Sequence, residues 1–531
     1  MLKTIIARVS EYLNGDLNLR PLKAIFTRKP AKTIVKLRSL KTIIAKEFLN
    51  NILNLRFMIG LVLCIVVTIS CIMILAHDYR QEMKDYNIRI HLQDEMLDNY
   101  APANEYRLRQ MLRPQKPPER FRLLIIGIPA NESAGSFDED PLPILFPPLD
   151  FLFIVTIIMS LLAILFSHDA IAGERQSGTL RLMISNSVSR TAILLGKLVG
   201  GTISLIIPFI LALLVGVLYI SINPAIQWDS SAWLELALLS AASITFITLF
   251  YFLGLMVSTF SRYSSTSILN CLFLWVLLIL VIPNVCPYIA AQLRRVPSIE
   301  GTSRRSKEIE RHSLDVAREY MVEAAKRFRL KYGALFAEYE ALGFGGNWNW
   351  GLADDDDPKL QEATRRRAEG DPEFAAMVEA FRVENRKAQQ ELIRIREASP
   401  VEEDLQRKAA SQTRLAKDLA CISPFADFVY VARDLTGTGL RSLEHFKQVK
   451  EKYIWQVGRY AEEKISDAKK KNLALKEESL LDVSDRPRFV FKEEPLKDKL
   501  IGVLPYWGIL VLFNVVFFVA AFAGFMRYDV R

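Results

Sequence analysis

Six stretches of this chain are long, apolar and nearly free of charge, and nothing else in it restricts the fold as much: residues 57–76, 150–167, 198–221, 233–259, 266–289 and 503–526. About 20 apolar residues in a helix rise far enough to cross a ~30 Å hydrocarbon core. Inside that core each backbone N–H and C=O must find its partner within the segment, so such runs are helices. The chain therefore reads as an all-α polytopic membrane protein with six transmembrane helices. Residues are 51% apolar yet 24% charged, and the two kinds are segregated along the chain. Water-exposed segments must alternate with the spans.

Charge orients the spans. Residues 1–56 carry 12 Lys and Arg against three acids, which places this basic, amphipathic segment in the cytoplasm. A formal net charge of +9 would point to nucleic acid in a soluble chain. Here the excess sits beside the first span, so the expected partner is the lipid membrane and not nucleic acid. The segment repeats itself in part, Leu2-Lys3-Thr4-Ile5-Ile6-Ala7 returning as Leu40-Lys41-Thr42-Ile43-Ile44-Ala45. Alternation then sets residues 77–149 outside, 168–197 inside, 290–499 outside as one helical extracytoplasmic domain, and the tail 527–531 inside.

The outer segments differ in texture. Residues 77–149 read as a helix followed by a strand and loop around Leu123-Leu124-Ile125-Ile126. Asn131-Glu132-Ser133 is a chance-level glycosylation triplet. Pro283 and Pro287 are expected to break the fifth span near its outer end. Gly196 and Gly200, four apart, read as packing positions. In 290–499, Ile309, Val316, Tyr320, Ala324, Phe328, Leu335 and Tyr339 recur at helical spacing, as do Phe374, Met377, Val378, Phe381, Leu392 and Ile395. They predict a helical hairpin. Between its arms, Trp348 and Trp350 lie in a Gly-rich turn, and Asp354–Asp357 lack the alternating ligands and distal Glu of an EF-hand.

The polar loop between spans two and three reads His168-Asp169-Ala170-Ile171-Ala172-Gly173-Glu174-Arg175-Gln176-Ser177-Gly178-Thr179-Leu180-Arg181 and runs on through Arg190 to Gly196-Lys197. Gly178 reads as a turn, and the mixed run from Leu180 to Ile184 as a surface-lying amphipathic helix. This pattern resembles the cytoplasmic loop of type-2 ABC transporter permeases, the exporter class. The residues that carry the likeness are Asp169, Gly173, Glu174, Arg175, Gly178, Thr179, Leu180, Arg190 and Lys197. A second, less specific likeness lies in Ile422-Ser423-Pro424-Phe425 and in Ala432-Arg433-Asp434-Leu435-Thr436-Gly437-Thr438-Gly439. The resemblance implies an exporter subunit of a bacterial cytoplasmic (inner) membrane, whose loop holds a coupling helix driven by a separate ABC ATPase subunit. It also implies a permease homodimer or heterodimer. Similar permeases with a large outer insert are linked to export, to multicopper-enzyme maturation and to gliding.

The chemistry missing from the sequence agrees. Its Gly-Lys pair, Gly196-Lys197, is followed by Leu198 and opens a span, so no P-loop is formed and the chain is not expected to be an enzyme. ATP would be bound by the partner, and no cofactor or metal is called for. His77, His91, His168, His312 and His445 are dispersed. Cys64, Cys71, Cys271 and Cys286 lie in or at the end of apolar runs, and Cys421 stands alone. The span interiors read as free of Asp, Glu, Lys and Arg, which disfavours proton coupling. The rival reading is a membrane-anchored scaffold or sensor whose outer domain binds a partner; a membrane-embedded enzyme is a weaker third.

Overall fold

The computed structural model describes residues 30–127, 149–185, 189–222, 228–341, 366–368, 370–397, 401–471 and 480–527. The first copy of the N-terminal echo, the Asn131 triplet, the Gly-rich turn with Trp348 and Trp350, and the four aspartates lie outside those residues. Contacts divide the chain into two compact units, 1–284 with 420–531, and 285–419. The segment 290–499, expected to be one outer domain, is thus split: its last 80 residues group with the membrane helices.

In the larger unit, helix α1 (Pro30–Ile52) precedes α2 (Leu55–Tyr100), whose N-cap Asn54 accepts a bond from the Arg56 amide. Among the described residues six helices are long and apolar enough to cross a membrane, and α2 is the first. It does not stop where its apolar run ends at residue 76 but continues unbroken for another 24 residues. A short helix, α3 (Glu105–Met111), follows it. The stretch 123–126, expected to be a strand, instead closes a 3-10 turn over Arg120–Leu123. Phe121, Leu123, Leu124 and Ile125 are buried there. With no neighbouring strand edge to complete its backbone bonds, the segment satisfies them locally, Leu124 and Ile125 both donating to the Phe121 carbonyl.

The second span, α4, starts at Phe151–Phe153, widens to a π-helix over Ile154–Met159 and resumes as an α-helix over Ser160–Ser167. Asp150 caps it by accepting from the Phe153 amide at 2.9 Å. Two short helices, α5 (Ala172–Gln176) and α6 (Thr179–Ser185), form the polar loop. The third and fourth spans are α7 (Arg190–Ile222) and α8 (Ser230–Phe260). The fifth is α9 (Ser264–Trp275), a π-segment Val276–Val281, and α10 (Ile282–Leu293). It therefore runs through both prolines that were expected to end it. The π-segment shifts the hydrogen-bond register just before them. Neighbouring polar groups take up released carbonyls, Asn284 donating to that of Leu280 at 2.7 Å and the Ser423 hydroxyl to that of Leu278.

One carboxyl corrects the expectation of acid-free span interiors, and a second is buried outside the spans. Glu235 lies within the range read as the fourth span and is 2% exposed. Asp427 is fully buried on a non-spanning helix, α15 (Pro424–Leu435), beside Phe428, whose ring packs 4.7 Å from Phe246 halfway along α8. Ser423-Pro424 starts that helix with proline in its first turn, and left-handed Gly437 lies just past its C-cap Thr436. A long helix, α16 (Leu440–Lys471), and the sixth span, α17 (Leu496–Met526), complete this unit.

The smaller unit is α-helical: α11 (Ile299–Tyr332), α12 (Ala334–Tyr339), α13 (Pro372–Glu397) and, for the most part, α14 (Val401–Ala420). Its core gathers Ala317, Met321, Ala324, Phe336, Tyr339, Phe374, Met377, Val378 and Phe381, with Tyr320, Phe328, Leu335 and Leu392 packed against it. The predicted stripe on α13 is the buried one, whereas on α11 the buried line passes through Ala317 and Met321, one residue on from Val316 and Tyr320. No β-strand occurs among the described residues, where Pro102 and Leu480 form a single β-bridge.

Candidate functional site

The polar loop is built from behind by the ends of three spans. The Ile171 and Ala172 amides, orphans at the start of α5, both donate to the Ser258 hydroxyl near the end of α8, at 3.1 and 2.9 Å. A serine of one helix thereby caps another. Arg175 reciprocates. Its guanidinium donates to the Ser261 and Thr259 carbonyls at 2.8 and 3.1 Å, capping the C-terminus of α8 where the helix dipole favours a cation.

Glu174 and Lys197 meet in a buried triad with Glu47 of α1. The Lys197 ammonium is 2.7 Å from one oxygen of each carboxylate, and its side chain is 3% exposed. The other oxygen of Glu174 is buried with no hydrogen-bond partner among the described residues. One cation shared by two carboxylates fixes three elements in one register, because a misaligned arrangement would leave a charge buried and unpaired. Glycine makes the approach possible. A Cβ on Gly200 would lie 2.9 Å from the Glu47 Cβ and 3.0 Å from the Ile44 carbonyl, and one on Gly196 would lie 2.4 Å from an Ile43 methyl. The spacing read as packing is thus the bed on which α1 rests.

The remaining predicted residues are spread around this centre. Asp169 pairs at 2.9 Å with Arg56 at the foot of α2. Arg190 donates to the Met526 carbonyl at the end of α17, 2.8 Å away. Leu180 is fully buried in the main core. The Thr179 hydroxyl bonds to Ser177 and to the Glu174 carbonyl, folding the turn at Gly178. Gly178 has φ +74°, a left-handed conformation that favours glycine, although the space beside it is open. Gly173 sits in ordinary contact with Asp169, and nothing in its surroundings requires a glycine.

Outward, the loop presents Gln176, Ser177, Gly178, Thr179, Arg181, Leu182 and Ser185. Leu182 is 64% exposed. Arg175, Glu174 and Lys197 are therefore the frame, and the intervening turn is the solvent-facing side. Sequence reasoning did not single out Glu47, Arg56, Ser258 and Tyr251, whose hydroxyl donates to the Lys197 carbonyl at 2.9 Å. For Glu47 a signal was present, since it is the one acid among the charges of the second echo copy.

A second charged cluster occupies the other end of the spans. Lys499 and Glu235, each 2% exposed, are 2.7 Å apart. Arg120 holds Glu493 through two bonds of 2.8 and 2.7 Å and also reaches Asp229, the N-cap of α8. Glu493 lies 3.7 Å from Lys499. Burial works to raise the Glu493 pKa, but the bonds and charge of Arg120, with Lys499, outweigh it and hold the carboxyl below the ordinary glutamate value.

Among the described residues no group of three or more His, Cys, Asp or Glu is placed to hold a metal ion. No curated protein matches the chain. The family model described as ABC-2 family transporter protein matches residues 41–530, beginning within α1. With six membrane-crossing helices and that match over nearly its whole length, the chain belongs to the ABC-2 transporter family, a multi-pass permease component of ABC transport.

Proposed function

We propose that the chain is the membrane subunit of an exporter, and that the turn from Gln176 to Ser185 receives the stroke of a separate ATPase at the cytoplasmic face. In this reading both termini are cytoplasmic, the membrane is the bacterial inner membrane, and two permease copies with two ATPases make the working unit. The observation that carries it is the division of labour in the loop. A solvent-facing turn with an exposed leucine is backed by side chains bonded to α1, α7 and α8, so a push on the turn reaches those elements through bonds rather than through slack chain. Residues Asp169, Gly173, Glu174, Arg175, Gly178, Thr179, Leu180, Arg190 and Lys197 take supporting parts, with Leu182 and Arg181 as contact residues.

The test is co-purification of an ATPase with the tagged full chain, followed by measurement of hydrolysis. Leu182→Asp, on the solvent-facing side, is expected to lose the ATPase while the permease keeps its melting temperature. Glu174→Lys, in the frame, is expected to retain a partner whose hydrolysis no longer responds to the permease. If no ATPase accompanies the wild-type chain, the scaffold reading replaces this one.

A further inference from the structure

Beyond its apolar run, α2 continues as a helix that is held on one side by Arg486, which pairs with Asp94 and Asp98, and by packing of Leu97 against Tyr453 and Val457, and it folds against α3. Gln93 clasps the two, its amide donating to the Met111 carbonyl at 2.7 Å and to that of Arg113 at 3.0 Å. The clasp leaves a groove of about 600 Å³, within the range of small-molecule sites. Its apolar lining is supplied by Leu92, Met96 and Met111, with Tyr100 beside them. Three arginines line it, Arg89, Arg107 and Arg113, and among the described residues no acid does. None of the three makes an ion pair among the described residues, in contrast to Arg120, Arg122 and Arg486 nearby in the same unit, each of which does. Asp85, four residues before Arg89, is not part of the lining.

We propose that this groove binds a soluble amphipathic anion, a phosphate, sulfate or carboxylate carried on an aromatic or aliphatic body. Three guanidiniums converging on one concavity repel one another until an anion arrives, and their planar forks match the oxygens of such groups. The two thioethers, Leu92 and the tyrosine supply the apolar contact. Height above the membrane selects a soluble ligand over a bilayer lipid. Arg89 is 13 residues past residue 76 and Tyr100 is 24 past it, roughly 20 and 36 Å at 1.5 Å per residue. Even a helix tilted by about 40° keeps Arg89 about 15 Å out, past a headgroup layer about 5–8 Å deep. The groove is at the end of the spans opposite the 168–185 loop, so the inference does not depend on how that loop works.

The experiment is calorimetric titration of the full chain in lipid nanodiscs with phenyl phosphate, with benzyl alcohol and with water-soluble dihexanoyl phosphatidic acid. Phenyl phosphate is expected to bind, benzyl alcohol is not, and the affinity should fall about tenfold or more when salt rises from about 0.05 to 0.5 M. The triple variant Arg89→Gln, Arg107→Gln, Arg113→Gln should weaken binding at least about tenfold. Met96→Glu, which keeps the arginines and puts an acid among them, should do likewise, and both variants should melt with the wild type because the altered side chains are exposed. Absence of binding by the wild type, binding that survives both variants, or binding confined to the phosphatidic acid would overturn the proposal.

Discussion

Lys197 and Lys499 are the same device at opposite ends of the bundle, and their surroundings differ in a way that assigns them different work. Each is a buried ammonium beside two carboxylates, Glu47 and Glu174 for one, Glu235 and Glu493 for the other. At the loop end the triad rests on glycine contacts with almost no clearance. At the far end a second cation, Arg120, shares Glu493 and reaches Asp229, so the charges form a chain and one broken link leaves others. A single cation on a close-packed bed transmits displacement. A branched network instead holds several segments together and tolerates partial loss.

The largest effect expected from breaking this comparison is at Lys197. Lys197→Met leaves two buried carboxylates facing each other and should cost about 3–5 kcal/mol. Adding Glu47→Gln and Glu174→Gln should recover most of that, because the uncompensated charge and not the missing ammonium is the penalty. Thermal melts of the single and triple variants check this. Lys499→Met should cost less, since it leaves one buried carboxylate, Glu235, without its ammonium while Arg120 still neutralises Glu493. Equal losses at the two lysines would erase the distinction. Next comes Gly200→Ala, whose added methyl meets the Ile44 carbonyl at 3.0 Å. Overpacking of about 1–3 kcal/mol should lift α1 from α7, readable as faster proteolysis within α1 and a lower melting temperature.

What the sequence made legible follows from the range of the forces involved. The six spans are visible because each satisfies its backbone internally and needs no knowledge of its neighbours. The polar loop is visible because its residue types stand close together in the chain. Its frame is not, because Glu47 and Lys197 are 150 residues apart and their pairing exists only once α1 lies on Gly196 and Gly200. The same holds for Ser258 and the Ile171 amide. The prolines of the fifth span misled because the local rule, that proline ends a helix, was offset by a π-segment and by donors from Asn284 and the distant Ser423. The grouping of residues 420–499 with the membrane helices was not legible because hydropathy sees solvent-compatible residues, whereas α15 buries its apolar face against α8 and α17.

Smaller effects sharpen the far-end cluster. At pH 7 Glu493→Gln should lower stability by about 1.5–3 kcal/mol, the scale of a hydrogen bond to a charged group. The folded-state pKa of Glu493 is depressed, so its contribution is complete above the ordinary glutamate value and is lost as pH falls through the lower folded-state value. The gap between wild type and variant should therefore stay constant from neutral pH down to about 5 and close below about 4. A gap that widens on acidification would mean that the carboxyl is not held ionised by Arg120.

The smallest effect is expected at Asp427. It is as buried as Lys197, yet neither carboxyl oxygen has a hydrogen-bond partner among the described residues beyond the Cys421 thiol beside it. No described cation pairs with it, and burying an unpaired carboxylate costs far more than protonating it, so the group should be neutral in the folded state. Asp427→Asn then exchanges one neutral polar group for another of nearly the same shape and should change stability far less than Lys197→Met does. The melting temperatures of the two chains at pH 7 should coincide, while Lys197→Met, equally buried but charged, departs widely. If Asp427→Asn were as damaging as Lys197→Met, the carboxyl would have to be ionised and paired, and burial alone would not separate the two sites.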